Sequence, residues 1–454
     1  MYEPPHPLPL APVAALMRAL ARGDNDLLSL LPASAYRVPI GYLGYTRRSI
    51  VVVNDPILVR EVLLDEERIF PKNDLMVDAL APLVGDSIFV SSGDTWHRQR
   101  TMVDGGFSHM RLGRAFASMM ASVAECTANF AELAASGSEF SLDLAMSHLT
   151  ADIVCRTVFS TSLASATARE VFDAFTLFER SVAQVEFRRL IFAPAFRPVA
   201  QRPDVLGACQ RIRSHLAALL GTHLHDPGQF DDIASAMMTA RDPASGRAFT
   251  EEELIDQLGV FFLAGHETTA SALTWAFYIL AQLPDTVARL RSEVAEVTGG
   301  GAVEFGHLKE LKLTRSIFKE VLRLYPPITF LPRVAMRPTT LGGLRLPRGA
   351  MVMISPWTIH RHAALWSDAH VFDPDRFLGE REAGHVAGAY LPFGIGPRVC
   401  VGASFAQSEA TLILAELLRR FDFLVSNPDV VRPVARLTTR PATQIAVRVL
   451  PRAR

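Results

Sequence analysis

The sequence predicts a mainly α-helical protein with small β-sheets, folded as a single large domain. Three observations carry this. Helical periodicity dominates from about residue 94 to residue 281. One helix is marked at its start by Thr250 with Glu253 three residues on, a capping box followed by the apolar run LGVFFLAGHETTASALTWAFYILAQ. The 454 residues contain no internal repeat, low-complexity tract or flexible linker, so the domain is read as 1–454.

Taken in order, residues 1–34 read as a Pro-rich N-terminal arm and a short helix, followed by strand-like runs at 37–45 and 49–53. Asp55-Pro56 starts a helix, because Asp caps and Pro fits the first turn. Residues 72–95 are apolar but interrupted by Pro82 and Gly85, which predicts a long loop with at most one helical turn. The run from Thr250 is apolar on most faces, the mark of a helix buried through the centre of a large domain. Pro284 opens a further helix, and another ends at Tyr325-Pro326-Pro327. Gly342-Gly343 predicts a hairpin, and residues 402–420 the last strong helix.

Composition narrows the function. Nearly half of the residues are hydrophobic, with 27 Phe against 7 Tyr, which fits a large core and apolar cavities. The net charge of −1 argues against a polyanionic partner and so against nucleic acid. The four cysteines, Cys126, Cys155, Cys209 and Cys400, form no C-x-x-C pair, and a reducing cytoplasm suits them. No signal peptide or membrane span is expected, so the reading is a soluble, cytoplasmic protein.

The strongest chemical signal is the run Phe393-Gly394-Ile395-Gly396-Pro397-Arg398-Val399-Cys400-Val401-Gly402. Two glycines and a proline let the backbone turn tightly against a flat cofactor. Cys400 sits just before a helix, whose N–H groups and dipole favour a thiolate. Phe393 can shield the sulfur, Arg398 can meet a carboxylate, and Gly402 lets the next helix pack close. A buried structural cysteine would explain a lone Cys, but not ten positions in register.

This run resembles the heme-ligand loop of the cytochrome P450 family, and further family motifs follow in the expected order along nearly the whole chain. The resemblance implies heme b held by the Cys400 thiolate. On the central helix, Ala264-Gly265-His266-Glu267-Thr268 matches the oxygen-binding motif. There Gly265 permits a local opening of the helix, while Thr268 and Glu267 are the catalytic residues that handle protons. His266 fills a variable position and reads as a satisfied helix histidine. Glu320 and Arg323 lie at i, i+3 on one helix face, and Arg376 of the segment 372–377 is expected to complete a structural triad with them. Trp96, Arg100 and Arg333 match propionate contacts.

Candidate substrate contacts are Leu75, Met76, Val77, Leu80, Ile88 and Phe89, then Phe175, Phe178 and Phe187, and Ile328 and Phe330; ordinary core packing explains each of them as well. Together they favour a lipophilic small molecule. The resemblance implies a monooxygenase that hydroxylates or epoxidises it with dioxygen. Electrons would come from a separate ferredoxin or flavodoxin with its NAD(P)H reductase, docking at Arg98, Arg111 and Arg114, with Lys309 and Lys312 as weaker choices. A heme-thiolate peroxygenase or isomerase, or a non-catalytic heme-based sensor, remain the alternatives.

Overall fold

In the computed structural model the described residues are 2–22, 26–43, 49–65, 68–182, 194–196, 201–226 and 228–452. They are mostly helical, with four small sheets. The capping box at Thr250 is formed: its hydroxyl accepts from the Glu253 N–H and Glu253 reaches back to the Thr250 N–H. The helix it opens, Glu251–Leu280, is buried along most of its length and forms the axis of the molecule. Against it pack Leu142–Phe159, Pro203–His225, Lys312–Leu324 and Ala403–Leu418. The apolar core divides around this axis, one part reaching toward the C-terminal strands and one toward Pro203–His225.

The largest sheet has four strands in the order Ile40–Tyr42, Ile50–Val53, Met351–Ile354, Leu331–Val334. Only its middle pair is parallel, with Ile50 opposite Met351, and both middle strands are buried throughout. This is how continuous β-branched or apolar runs behave when both faces are covered. The hairpin Thr339–Leu341 and Leu344–Leu346 turns through Gly342-Gly343 with φ of 53° and 81°, the backbone a tight two-residue turn demands. Asp55 caps Pro56–Leu63 by accepting from the Ile57 and Leu58 N–H groups. The N-terminal arm is tied down by an antiparallel bridge between Tyr2 and Phe372.

The segment 72–95 differs from expectation. It holds an eleven-residue helix, Asp74–Val84, capped by Asn73, and the start of a second, Gly93–Asp104. Pro82 lies in the last turn, where it removes one intrahelical bond, from Asp78. The carbonyl of Asp78 instead accepts from Gln201 Nε2 at 2.7 Å. Gly85, with φ of 52°, then ends the helix. No described helix is long and apolar enough to cross a membrane.

Candidate active site

The sequence around Cys400 folds as a tight loop because Gly394 and Gly396 adopt φ of 71° and 79°. A Cβ at Gly396 would sit 2.8 Å from the carbonyl oxygen of Leu63, so only glycine permits this approach. The Cys400 N–H donates to the Phe393 carbonyl at 3.0 Å, closing the loop. Ala403–Leu418 begins right behind it, with Gly402 as its N-cap. Cys400 is accessible through a cavity of about 520 Å³ that it lines with Phe393, Gly394, Arg398 and Gly402. Burial pushes its thiol up, against the pull of the Gly402 N–H and the Arg100 guanidinium.

Facing Cys400 across this cavity is the central helix, which contributes Ala264, Gly265 and Thr268. The helix runs on through Gly265. There the glycine admits the Val154 side chain: a Cβ would lie 2.9 Å from Val154 Cγ2. Thr268 Oγ1 donates to the Ala264 carbonyl at 2.6 Å, which leaves its oxygen able to accept. Glu267 points away from the cavity. It accepts from Thr438 Oγ1 at 2.5 Å and from Arg440 Nε at 2.6 Å, an ion pair near the protein surface. His266 is buried, with Nδ1 against the Phe262 carbonyl at 2.7 Å and its ring among Phe172, Phe175 and Phe262.

One functional candidate escaped the sequence reading. Glu409, on the helix after Cys400, is buried and lines the cavity. Burial pushes its carboxyl well up, only partly countered by a hydrogen bond with Thr269. Its Oε1 has no hydrogen-bond partner among the described residues. An acid directly before the apolar run ATLILA, residues 410–415, was the available signal.

The expected carboxylate contacts gather on the cavity wall. Trp96, Arg100, Arg333 and Arg398 all line it, together with Lys72. The Arg398 guanidinium lies 4.3 Å from the Trp96 ring centre and donates to the Ser91 carbonyl at 2.8 Å. Arg100 donates to the Val399 carbonyl at 2.7 Å, and Lys72 to that of Ile88 at 3.1 Å. A thiol on one wall, apolar faces around it and these cationic groups fit a flat apolar cofactor with two carboxylates.

Glu320, Arg323 and Arg376 come together as anticipated. Arg323 donates from Nε and Nη2 to the two Glu320 oxygens at 2.7 and 2.8 Å, and Arg376 Nε donates to Oε1 at 3.2 Å. All three are buried. Arg323 also donates to the carbonyls of His360, Ala369 and Val371, so the triad clamps the segment that leads to Cys400.

A family profile described as cytochrome P450 matches residues 5–447. The chain belongs to the cytochrome P450 family. It is 33% identical over 449 residues to cyclooctatin synthase of Streptomyces melanosporofaciens, covering 98% of this chain and 92% of that one. Pentalenene oxygenase of Streptomyces avermitilis is 31% identical, over 95% and 91% of the two chains. Cyclooctat-9-en-7-ol 5-monooxygenase, also of S. melanosporofaciens, is 31% identical, over 90% and 87%. The fold is similar to that of the cytochrome P450DA heme domain, with a TM-score of 0.81, 23% identity, and 91% and 90% of the chains covered. This P450 is therefore a heme b enzyme, a monooxygenase that puts oxygen from dioxygen into a lipophilic molecule.

Of the substrate candidates, Leu75, Met76, Leu80, Ile88, Phe89, Ile328 and Phe330 line the cavity of this P450. Val77, Phe175 and Phe178 do not. Val77 packs against the core, and both phenylalanines are fully buried in it, Phe175 against Phe262 at 4.6 Å. Phe187 lies outside the described residues. Phe107, Val154 and Phe261 line the cavity and were not foreseen. Among the expected donor contacts, Arg98 is committed to Glu253 and lies over Phe249. Arg111 and Arg114 both pair with Asp231.

Proposed function

We propose that this P450 hydroxylates or epoxidises a terpenoid, using electrons from a separate ferredoxin or flavodoxin with its NAD(P)H reductase, in the cytoplasm. The reading takes residues 1–454 as one catalytic domain, with 1–34 as its arm. The observation that carries it is the cavity itself: Cys400 lies in its lining, and most of the other residues there are aliphatic or aromatic. Relatives covering nearly the whole chain are named for polycyclic terpene skeletons, pentalenene and cyclooctat-9-en-7-ol.

When bound, the heme uses dioxygen, two electrons and two protons to place one oxygen atom in the substrate and release the other as water. Cys400 would hold the iron as a thiolate, with Phe393 beside the sulfur, and Trp96, Arg100, Arg333 and Arg398 would meet the propionates. Leu75, Met76, Leu80, Ile88, Phe89, Ile328 and Phe330 exclude water and hold the substrate by shape. Thr268 accepts and passes a proton at its Oγ1. Glu267 and Arg440 connect that turn of helix with the surface, and Glu409 holds a further proton at the cavity edge.

Reduced protein under carbon monoxide is expected to show the red-shifted band of thiolate ligation, and Cys400→Ser to lack it. With a ferredoxin, its reductase and NADPH, a terpenoid product should carry one atom from labelled dioxygen. Turnover with hydrogen peroxide but not with the donor would favour the peroxygenase instead.

A further inference from the structure

Among the described residues, one group of three His, Cys, Asp or Glu side chains has metal-ligand spacing. Glu3 and His6 of the N-terminal arm and His370 each bring a donor atom within 4.8 Å of the other two. The two imidazoles stack, with ring centres 4.3 Å apart. His6 Nδ1 lies 3.2 Å from the Pro4 carbonyl, which can only accept, so the ring carries its proton there. Its Nε2 is then a lone pair, and it faces Glu3 Oε1 at 3.5 Å. Two acceptors confront each other with no proton between them. Protonation of Nε2 would relieve this, but burial and then the Arg361 charge push His6 down. A cation shared by the two relieves it without a proton. The Glu3 and His6 side chains are 55% and 16% exposed, so an ion from solvent reaches them directly.

We infer that Glu3, His6 and His370 form a zinc site that pins the N-terminal arm to the segment leading to Cys400. Two imidazoles and one carboxylate suit zinc, with water in the fourth position, whereas magnesium and calcium prefer oxygen donors. Ligand atoms around a tetrahedral zinc stand about 3.4 Å apart. The His6–Glu3 pair already has that spacing. The remaining gaps close by no more than about 1.5 Å, within reach of side-chain rotation. His370 Nδ1 has no hydrogen-bond partner among the described residues, so that ring has a nitrogen no described group claims. The backbone around the site is already drawn together. The Phe372 N–H donates to the Tyr2 carbonyl at 2.9 Å, and Tyr325 Oη donates to that of Pro5. Arg323 holds the Ala369 and Val371 carbonyls on either side of His370. Zinc would thus fasten the arm to the stretch that the Glu320–Arg323–Arg376 triad clamps. The Arg361 charge works against a cation here and the Glu3 carboxylate for it, so micromolar rather than nanomolar affinity is expected. None of the three ligands lines the Cys400 cavity, so the site is separate from the heme.

The test uses heme-loaded protein without a polyhistidine tag, treated with EDTA, dialysed and then titrated with zinc chloride. Calorimetry is expected to show one zinc per chain, and absorption at the zinc edge to show two imidazoles in the shell. The thermal midpoint should rise with zinc and not with the same concentration of magnesium. Glu3→Gln, His6→Ala and His370→Ala should each weaken zinc binding by at least the roughly 10- to 100-fold that loss of an outer contact costs. Each should also abolish the zinc-dependent rise in midpoint. His370→Ala alters the clamped segment and can harm folding by itself. Glu3→Gln and His6→Ala lie on the arm and should keep the heme content and spectrum of the parent, so they carry the test alone if His370→Ala does not fold. No saturable zinc binding to the parent, or a shell without two imidazoles, would overturn the inference. Zinc that binds and stabilises Glu3→Gln and His6→Ala as it does the parent would assign the ion to other residues and overturn it equally.

Discussion

The Nε2 of His360 accepts a hydrogen bond from the Leu391 N–H at 2.9 Å, while Nδ1 faces the Arg323 carbonyl at 3.2 Å. Only a neutral ring with its proton on Nδ1 satisfies both. One imidazole thus joins the Glu320–Arg323–Arg376 triad to the stretch that ends at Cys400.

Burial, then the charges of Arg323 and Arg361, push His360 down to about 3. An unfolded histidine titrates near 6.5. As pH falls the unfolded chain takes the proton first, so the contribution of His360 is complete above about 6.5 and is lost progressively toward about 3. Thermal midpoint and heme retention should decline between pH 7 and pH 4, and less steeply in His360→Gln. Parallel declines in both proteins would assign the acid sensitivity to other groups.

Removing one partner of the buried triad leaves an uncompensated charge. Glu320→Gln should cost about 3–5 kcal/mol, measured by urea unfolding of the holoenzyme, with heme lost at lower denaturant. Arg323→Lys should also fail, because a point charge cannot reproduce the fork that grips Glu320 and three carbonyls.

Thr268→Ala should keep heme and substrate binding but release several-fold more peroxide per NADPH consumed. Glu409→Gln retains the shape but holds no transferable acid proton. A smaller rise in peroxide is expected there, with a larger solvent isotope effect on turnover. Unchanged coupling in both variants would remove proton delivery from these side chains.

Arg111 and Arg114 share one carboxylate, Asp231, at 3.2 and 2.6 Å. An acidic electron donor that docks here must compete with it. First-electron transfer followed by stopped flow should slow as ionic strength rises, and slow further when both arginines are reversed to Glu. Asp231→Asn should accelerate it at low salt. A rate indifferent to all three would place the donor elsewhere.

Much of this was legible in the sequence because the signals were local. The Thr250–Glu253 box, the Asp55-Pro56 start, the Gly342-Gly343 turn and the ten-residue run ending at Gly402 each contain their own physical cause. What stayed hidden depends on distant partners. Glu267 meets Thr438 and Arg440, and His360 meets Leu391, contacts that no spacing announces. Phe175 and Phe89 look alike in sequence, yet one is core and the other cavity wall. The helix Asp74–Val84 was missed because Pro82 reads as a breaker, although in a last turn it removes only one bond.

That missing bond has a mechanical meaning. Because Pro82 leaves the Asp78 carbonyl to Gln201, one wall of the cavity is clasped to the segment that enters Pro203–His225, and Gln201 itself lines the space within. The two walls cannot part until this clasp opens. A proline that looks like a flaw in a helix thereby supplies one of the ties between these walls, beside those of Phe196 to Asp74 and Arg213 to the Leu83 carbonyl. Pro82→Ala would return the carbonyl to its own helix and release Gln201. The helix would gain a bond, and the two walls would lose one.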